Sequence, residues 1–156
     1  MAIRQLRLKD DEILRKKAKP VKEIDDKIIE LLDDMKDTLT EANGVGLAAP
    51  QVGVLRRIAI IDCEDEYYEL INPEITKKEG TQTCDEACLS VPGLRGDIER
   101  PMNITIKALN RDGVSITIEA EEYMASVFCH ELDHLDGVLY LDTATNVRPI
   151  EEEEEE

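Results

Sequence analysis

Apolar side chains recur every three or four positions early in the chain. Ile24, Ile28, Leu31, Leu32, Met35 and Leu39 share one face of a helical wheel. Asp25 and Asp26 suit the first turn of that helix, where carboxylates meet the positive end of its dipole, and Asn43-Gly44 suits its end. The period then changes. Leu55 to Ile61, centred on Arg57-Ile58-Ala59-Ile60-Ile61, predicts a strand, and Glu69 to Asn72 predicts another, closed by Pro73. Ile104 to Leu109 and Val114 to Ile118 alternate apolar and polar residues around Asn110-Arg-Asp-Gly113, which is a hairpin signature with turn residues in the right place. The segment around Glu86 to Ser90, running on to Pro92-Gly93, reads as turn-rich. A second helix is predicted from about Glu121 to Asp136, stopping at Gly137 and burying Met124, Val127, Phe128 and Leu135. Helix, strands, then helix gives an α+β fold: largely antiparallel sheets packed around the second helix, with an N-terminal helix.

Composition narrows the class. At 156 residues the chain is one ordinary domain, expected over residues 1–150, with no internal repeat and no Ser/Gly-rich linker. Its 42% apolar content supports a core. Nineteen basic and 36 acidic residues give a formal charge of −17, a field that repels polyanions and argues against nucleic-acid binding by a broad basic face. Six of those charges form the run Glu151 to Glu156, expected to be a disordered, solvated acidic tail. The N-terminal residues show no apolar targeting core, and no apolar run reaches membrane-spanning length. Without a secretion signal, Cys63, Cys84, Cys88 and Cys129 are expected to be reduced, catalytic or metal-bound. The expectation is a cytoplasmic protein with no membrane partner.

The second helix carries the chemistry. His130-Glu131-Leu132-Asp133-His134 is an H-E-x-x-H run and holds both histidines of the chain. Residues four apart lie on one helix face, so the two imidazoles can meet one metal ion. Glu131 then stands beside a metal-bound water and can take its proton. Two imidazoles leave such a site short of ligands, because a tetrahedral catalytic centre takes three protein groups and one open position. No histidine follows His134, and Cys88 is the upstream candidate; by itself it reads equally as a buried thiol.

Gly44-Val-Gly-Leu-Ala-Ala-Pro-Gln51 superficially resembles a nucleotide-binding loop, but its third glycine is missing. Pro50 and Gly53 also stop a helix from starting directly behind it. Its small residues point instead to a close approach of backbone to substrate or to another strand.

Taken together, Gly44 to Gln51, Glu86-Ala-Cys-Leu-Ser90 and Cys129-His-Glu-Leu-Asp-His-Leu-Asp-Gly137 resemble the three signature motifs of peptide deformylases, in the family's order and at similar spacing. Ser90 to Pro101 also reads like the family. The resemblance implies metal-dependent hydrolysis of the N-terminal formyl group of formyl-methionyl nascent polypeptides, as in bacteria. It implies that Cys88, His130 and His134 hold the metal and that Glu131 serves as base and then acid. It further implies that the Gln51 amide and the Leu89 backbone N–H polarise the formyl oxygen, and that Val45 and Gly46 bind substrate. Fe²⁺ is the implied ion, with Zn²⁺, Ni²⁺ or Co²⁺ as substitutes, and Glu86 and Arg100 are implied to pair behind the cysteine loop. Transient ribosome contact is a further implication. One class of the family makes it through a basic C-terminal helix, whereas here the corresponding residues lead to six glutamates.

Two positions depart from the family pattern: Ala87 replaces a glycine, and Cys129 replaces a glutamine before the first histidine. Cys129 is expected to face the helix–sheet packing. Two other readings fit part of the pattern. A zincin-like metallopeptidase shares H-E-x-x-H, and a structural Cys₂His₂ module would use Cys84, Cys88, His130 and His134.

Overall fold

The computed structural model describes residues 2–150. Helix α1 spans Asp26–Ala42, with the Asp25 carboxylate accepting the Ile28 N–H at its start and Asn43 in the left-handed conformation at its end. Both capping residues are the ones the pattern singles out. A five-stranded antiparallel sheet runs in the order β1 (Gly46–Ala48), β2 (Ile58–Cys63), β3 (Glu66–Glu79), β6 (Asn103–Leu109) and β7 (Ser115–Glu121). A second sheet joins β4 (Gln82–Cys88), β5 (Val91–Arg100) and β8 (Thr145–Pro149). Helix α2, Glu122–Leu135, packs against strands of both sheets.

The apolar run of β2 follows from this layering. Ile58 and Ile60 pack with Leu31, Leu32, Met35 and Leu39 of α1. Ile61 faces the other way, among Met124, Val127, Phe128 and Leu132 of α2. Successive strand residues point to opposite faces, so a strand covered on both sides has no polar alternation. Each fully buried Leu or Ile contributes about 1.5–3 kcal/mol relative to exposure. The core therefore sits on both faces of the large sheet, and α2 is held from several directions.

Two expectations need correction, and one strand lies outside them. β3 does not close at Pro73 but runs on to Glu79. A register shift between Ile71 and Glu74 absorbs the proline, whose missing N–H costs nothing where the ladder is already broken. Asn72, at φ 53, turns its side chain out of the sheet to bond the Val21 N–H and C=O. Residues 82–100 are not a turn-rich stretch but a hairpin, with Cys88 opposite Val91 and only Leu89-Ser90 between them. β8 escapes the pattern because it is short, mostly exposed and lacks apolar alternation. The tail, Glu151 to Glu156, lies outside the described residues.

The N-terminal segment forms a strap across the back of the molecule. Backbone N–H groups of Arg7, Lys9 and Ala18 donate to the carbonyls of Gln51, Ser90 and Leu135, each at 2.8 Å. Those three carbonyls belong to three different parts of the chain.

Arg111, in the β6–β7 turn, ties that hairpin to both β3 and α1. Its guanidinium grips Glu69 through two 2.7 Å bonds and reaches Asp33 at 2.8 Å. Burial would raise the Glu69 carboxyl, but hydrogen bonds from Arg111 and Tyr67 outweigh it and hold the group below the usual carboxylate range. A depressed folded-state pKa stabilises above the unfolded value and loses that stabilisation as pH falls through the folded one. Arg111→Met is therefore expected to destabilise the protein at neutral pH. In urea titrations the gap to the parent should narrow below about pH 4.3, the unfolded value for Glu. A gap that stays constant down to acid denaturation would remove this pair from the stability of the fold.

Candidate metal centre and active site

The Cys88, His130 and His134 side chains converge, with their donor atoms all within 4.8 Å of one another. Cys88 ends β4, and the two histidines stand one turn apart on α2. Cys88 Sγ lies 3.4 Å from His134 Nε2. A tetrahedral ion with bonds of about 2.0–2.3 Å separates its donors by roughly that distance. His130 Nδ1 is engaged by Glu86 Oε1 at 2.8 Å, which leaves Nε2 for the centre. Such carboxylate–histidine pairs orient metal-ligating rings. His134 is 1% exposed, and its Nδ1 has no partner among the described residues. One thiol and two imidazoles, so placed, fit a divalent metal ion.

A network of charges holds these ligands. Arg100 grips Glu86 with two 2.9 Å bonds and reaches Asp133 at 2.6 Å. Burial would raise the Glu86 carboxyl, but Arg100 and His130 outweigh it and keep the group ionised. Burial also disfavours charge on both rings. His134 is held well below the usual imidazole range, whereas at His130 the Cys88 and Glu86 hydrogen bonds prevail and raise it. Tyr140 stacks on His130 with ring centroids 5.8 Å apart and donates its hydroxyl to the Leu94 carbonyl.

An open cavity of about 720 Å³ lies over the centre. Val45, Gly46, Gln51, Cys88, Leu89, His130 and Glu131 line it, while His134 lies behind them. Glu131 is 5% exposed and its Oε1 has no partner among the described residues. Burial pushes this carboxyl up to about 7, against the pull of His130. A base serves best with a pKa near the working pH.

Gly46 explains the small residues of the first motif. A Cβ there would stand 2.7 Å from Glu131 Oε2, so glycine lets the backbone of β1 pass the carboxylate without displacing it. β1 is also the edge strand of its sheet, which leaves backbone groups beside the cavity without a strand partner. Gln51 sits on a short 3₁₀ turn, Ala49–Val52, that follows β1 directly. Its Oε1 accepts the Ala48 N–H at 2.9 Å, which turns the NH₂ group toward Cys88.

Each residue anticipated for the site thus lies in it, and so does the Glu86–Arg100 pair. Cys84 lies outside the cluster and hydrogen-bonds Ser126, so the four-ligand structural module is not formed. Ala87 is absent from the left-handed residues and pairs with Arg95 as ordinary strand, so the position does not require the glycine of the family pattern. Cys129 is 5% exposed within the helix–sheet core, and burial pushes its thiol up to about 11. Asp133, Tyr140 and Ser90 were not anticipated. Asp133 and Ser90 stand within the recognised motifs, whereas Tyr140 gives no local signal.

Fold and site together define a metal-dependent hydrolase, with a three-donor centre beside a buried carboxylate on the floor of an open cavity. Residues 3–149 match the family described as Polypeptide deformylase, and the chain belongs to that family. Peptide deformylase of Acetivibrio thermocellus is 53% identical over 156 residues, covering 100% of this chain and 91% of that protein. The solved peptide deformylase of Thermotoga maritima superposes with a TM-score of 0.89 at 40% identity, covering 92% of this chain and 98% of that one. That of Legionella pneumophila gives 0.89 at 41%, covering 92% and 87%. Family membership carries the activity, removal of the N-terminal formyl group from a polypeptide.

Proposed function

We propose that Cys88, His130 and His134 hold one divalent cation and that Glu131, Gln51 and Leu89 carry out hydrolysis of formyl-methionyl polypeptides beside it. The observation that carries this reading is the convergence of the three donor atoms under a cavity that Glu131 and Gln51 also line. A divalent cation bound there supplies Lewis-acid polarisation and lowers the pKa of a coordinated water.

The chain's own groups do the rest. Glu131 takes the proton from the attacking water and returns it to the departing peptide nitrogen, so one water and one formamide become formate and a free amine. Gln51 Nε2–H and the Leu89 backbone N–H donate to the formyl oxygen as negative charge develops on it. A neutral amide suits this position, because a carboxylate would repel that charge. Gly46 and Val45 line the edge along which the peptide backbone binds.

Ferrous iron is the proposed ion. Thiolate and imidazole donors also accept Zn²⁺, Ni²⁺ and Co²⁺, so occupancy follows availability. The substrate is a formyl-methionyl nascent chain, met in the cytoplasm during transient contact with the ribosome, and residues 1–150 act as one catalytic domain. No helix among the described residues is long and apolar enough to cross a membrane.

Anaerobic purification with elemental analysis, followed by assay of formate and free amine from formyl-Met-Ala-Ser, tests the reading. One metal per chain and formate release are expected, both retained in Cys84→Ala. No formate with Fe, Ni or Co loaded would overturn the assignment. Metal loss in Cys84→Ala would return the four-ligand module.

A further inference from the structure

We infer that Ser90 is a positioning residue that aims the Gln51 amide, an inference that rests on the role just proposed for Gln51. Gln51 and Ser90 are 1% and 0% exposed, and Gln51 Nε2 donates to Ser90 Oγ at 3.0 Å. Its carbonyl end is fixed as well, because Oε1 accepts the Ala48 N–H. An amide NH₂ is planar and its two N–H bonds diverge by about 120°. Anchoring Oε1 and one N–H therefore sets the plane of the group and the direction of the other N–H. That second direction has Cys88 Sγ at 3.7 Å, on the cavity side where the three ligands converge. One N–H stays on Ser90, and the other exchanges the weak sulfur acceptor for an incoming oxygen.

Ser90 also couples the two donors to each other. It follows Leu89 in the two-residue turn between β4 and β5, one residue beyond the Cys88–Leu89 peptide unit that carries the Leu89 N–H. Its side chain holds Gln51, which belongs to a different element. Its own carbonyl is pinned by the Lys9 N–H at 2.8 Å. The spacing between the Gln51 amide and the Leu89 N–H is thus set through one buried hydroxyl. Without it, the Gln51 NH₂ keeps only the weak sulfur acceptor, and the group can turn about its one remaining strong bond, from the Ala48 N–H to Oε1.

Removing an oxyanion donor typically costs about 10²- to 10³-fold in turnover, and leaving one in place but badly aimed costs a part of that. Ser90→Ala is expected to lower kcat roughly ten-fold, with KM within about two-fold and metal content unchanged. In a Gln51→Ala background the same substitution should cost almost nothing more. The Gln51 side-chain NH₂ resonances, assigned by their loss in Gln51→Ala, should shift and exchange faster with water in Ser90→Ala. This holds in the protein with or without turnover. Equal costs of Ser90→Ala in both backgrounds, or unmoved Gln51 resonances, would overturn the inference and leave Ser90 as packing alone. A parent enzyme that releases no formate would instead overturn the activity reading, and the resonance comparison would still decide whether Ser90 holds the amide.

Discussion

Glu131→Gln is expected to leave one metal per chain and to cut deformylation by about 10²- to 10⁴-fold, the range that a positioned acid–base group supplies. The substitution keeps shape and volume but removes the proton acceptor. The ligands should survive it, because His130 is held by Glu86 and Tyr140 and not by Glu131, whose Oε1 has no partner among the described residues. Elemental analysis with the formate assay measures both effects. A variant with full metal and normal turnover would remove Glu131 from proton transfer, and a variant that lost its metal would make it part of the ligand support.

Arg100→Met is the largest expected loss of stability. Arg100 and Glu86 side chains are 6% and 8% exposed, and truncating one member of such a buried pair costs about 3–5 kcal/mol because the other charge is left without compensation. Asp133, at 35% exposure, adds little to that figure because solvent screens it. The substitution also frees Glu86, and with it the ring of His130. Loss of such a supporting contact typically weakens metal binding about 10- to 100-fold. Urea unfolding and competition with a chelator read the two effects separately. Arg100→Lys should fall between, since an ammonium cannot make the two parallel bonds to one carboxylate. Unchanged unfolding in Arg100→Met would show that Glu86 finds its compensation elsewhere.

The elements read correctly from the chain are those whose pattern is local. α1 declares itself through apolar spacing and both caps, the β6–β7 hairpin through alternation around Asn110-Arg-Asp-Gly113, and α2 through its apolar face and Gly137. β4 and β5 give no such sign. Their buried positions include the charged Glu86 and Arg100, their exposed ones the apolar Ala87 and Pro92, so the period-2 signal is too weak to separate strand from turn. Pro73 misleads for a related reason: a proline forbids an unbroken ladder, but a bulge can accommodate it. In the site, His130, Glu131 and His134 are legible as a helical unit. Cys88 is 42 positions before His130, and no local rule joins a strand end to a helix. Its assignment needs the three motifs together. Asp133, Ser90 and Tyr140 act through contacts between separate elements, which spacing along the chain does not encode.

The strap of residues 7–18 has a consequence for how the molecule comes into being. Its N–H groups, on Arg7, Lys9 and Ala18, close on Gln51, Ser90 and Leu135, partners 44, 81 and 117 positions further along the chain. Contacts of such long sequence separation form late and slowly. The strap is therefore expected to close after the local elements that it ties together.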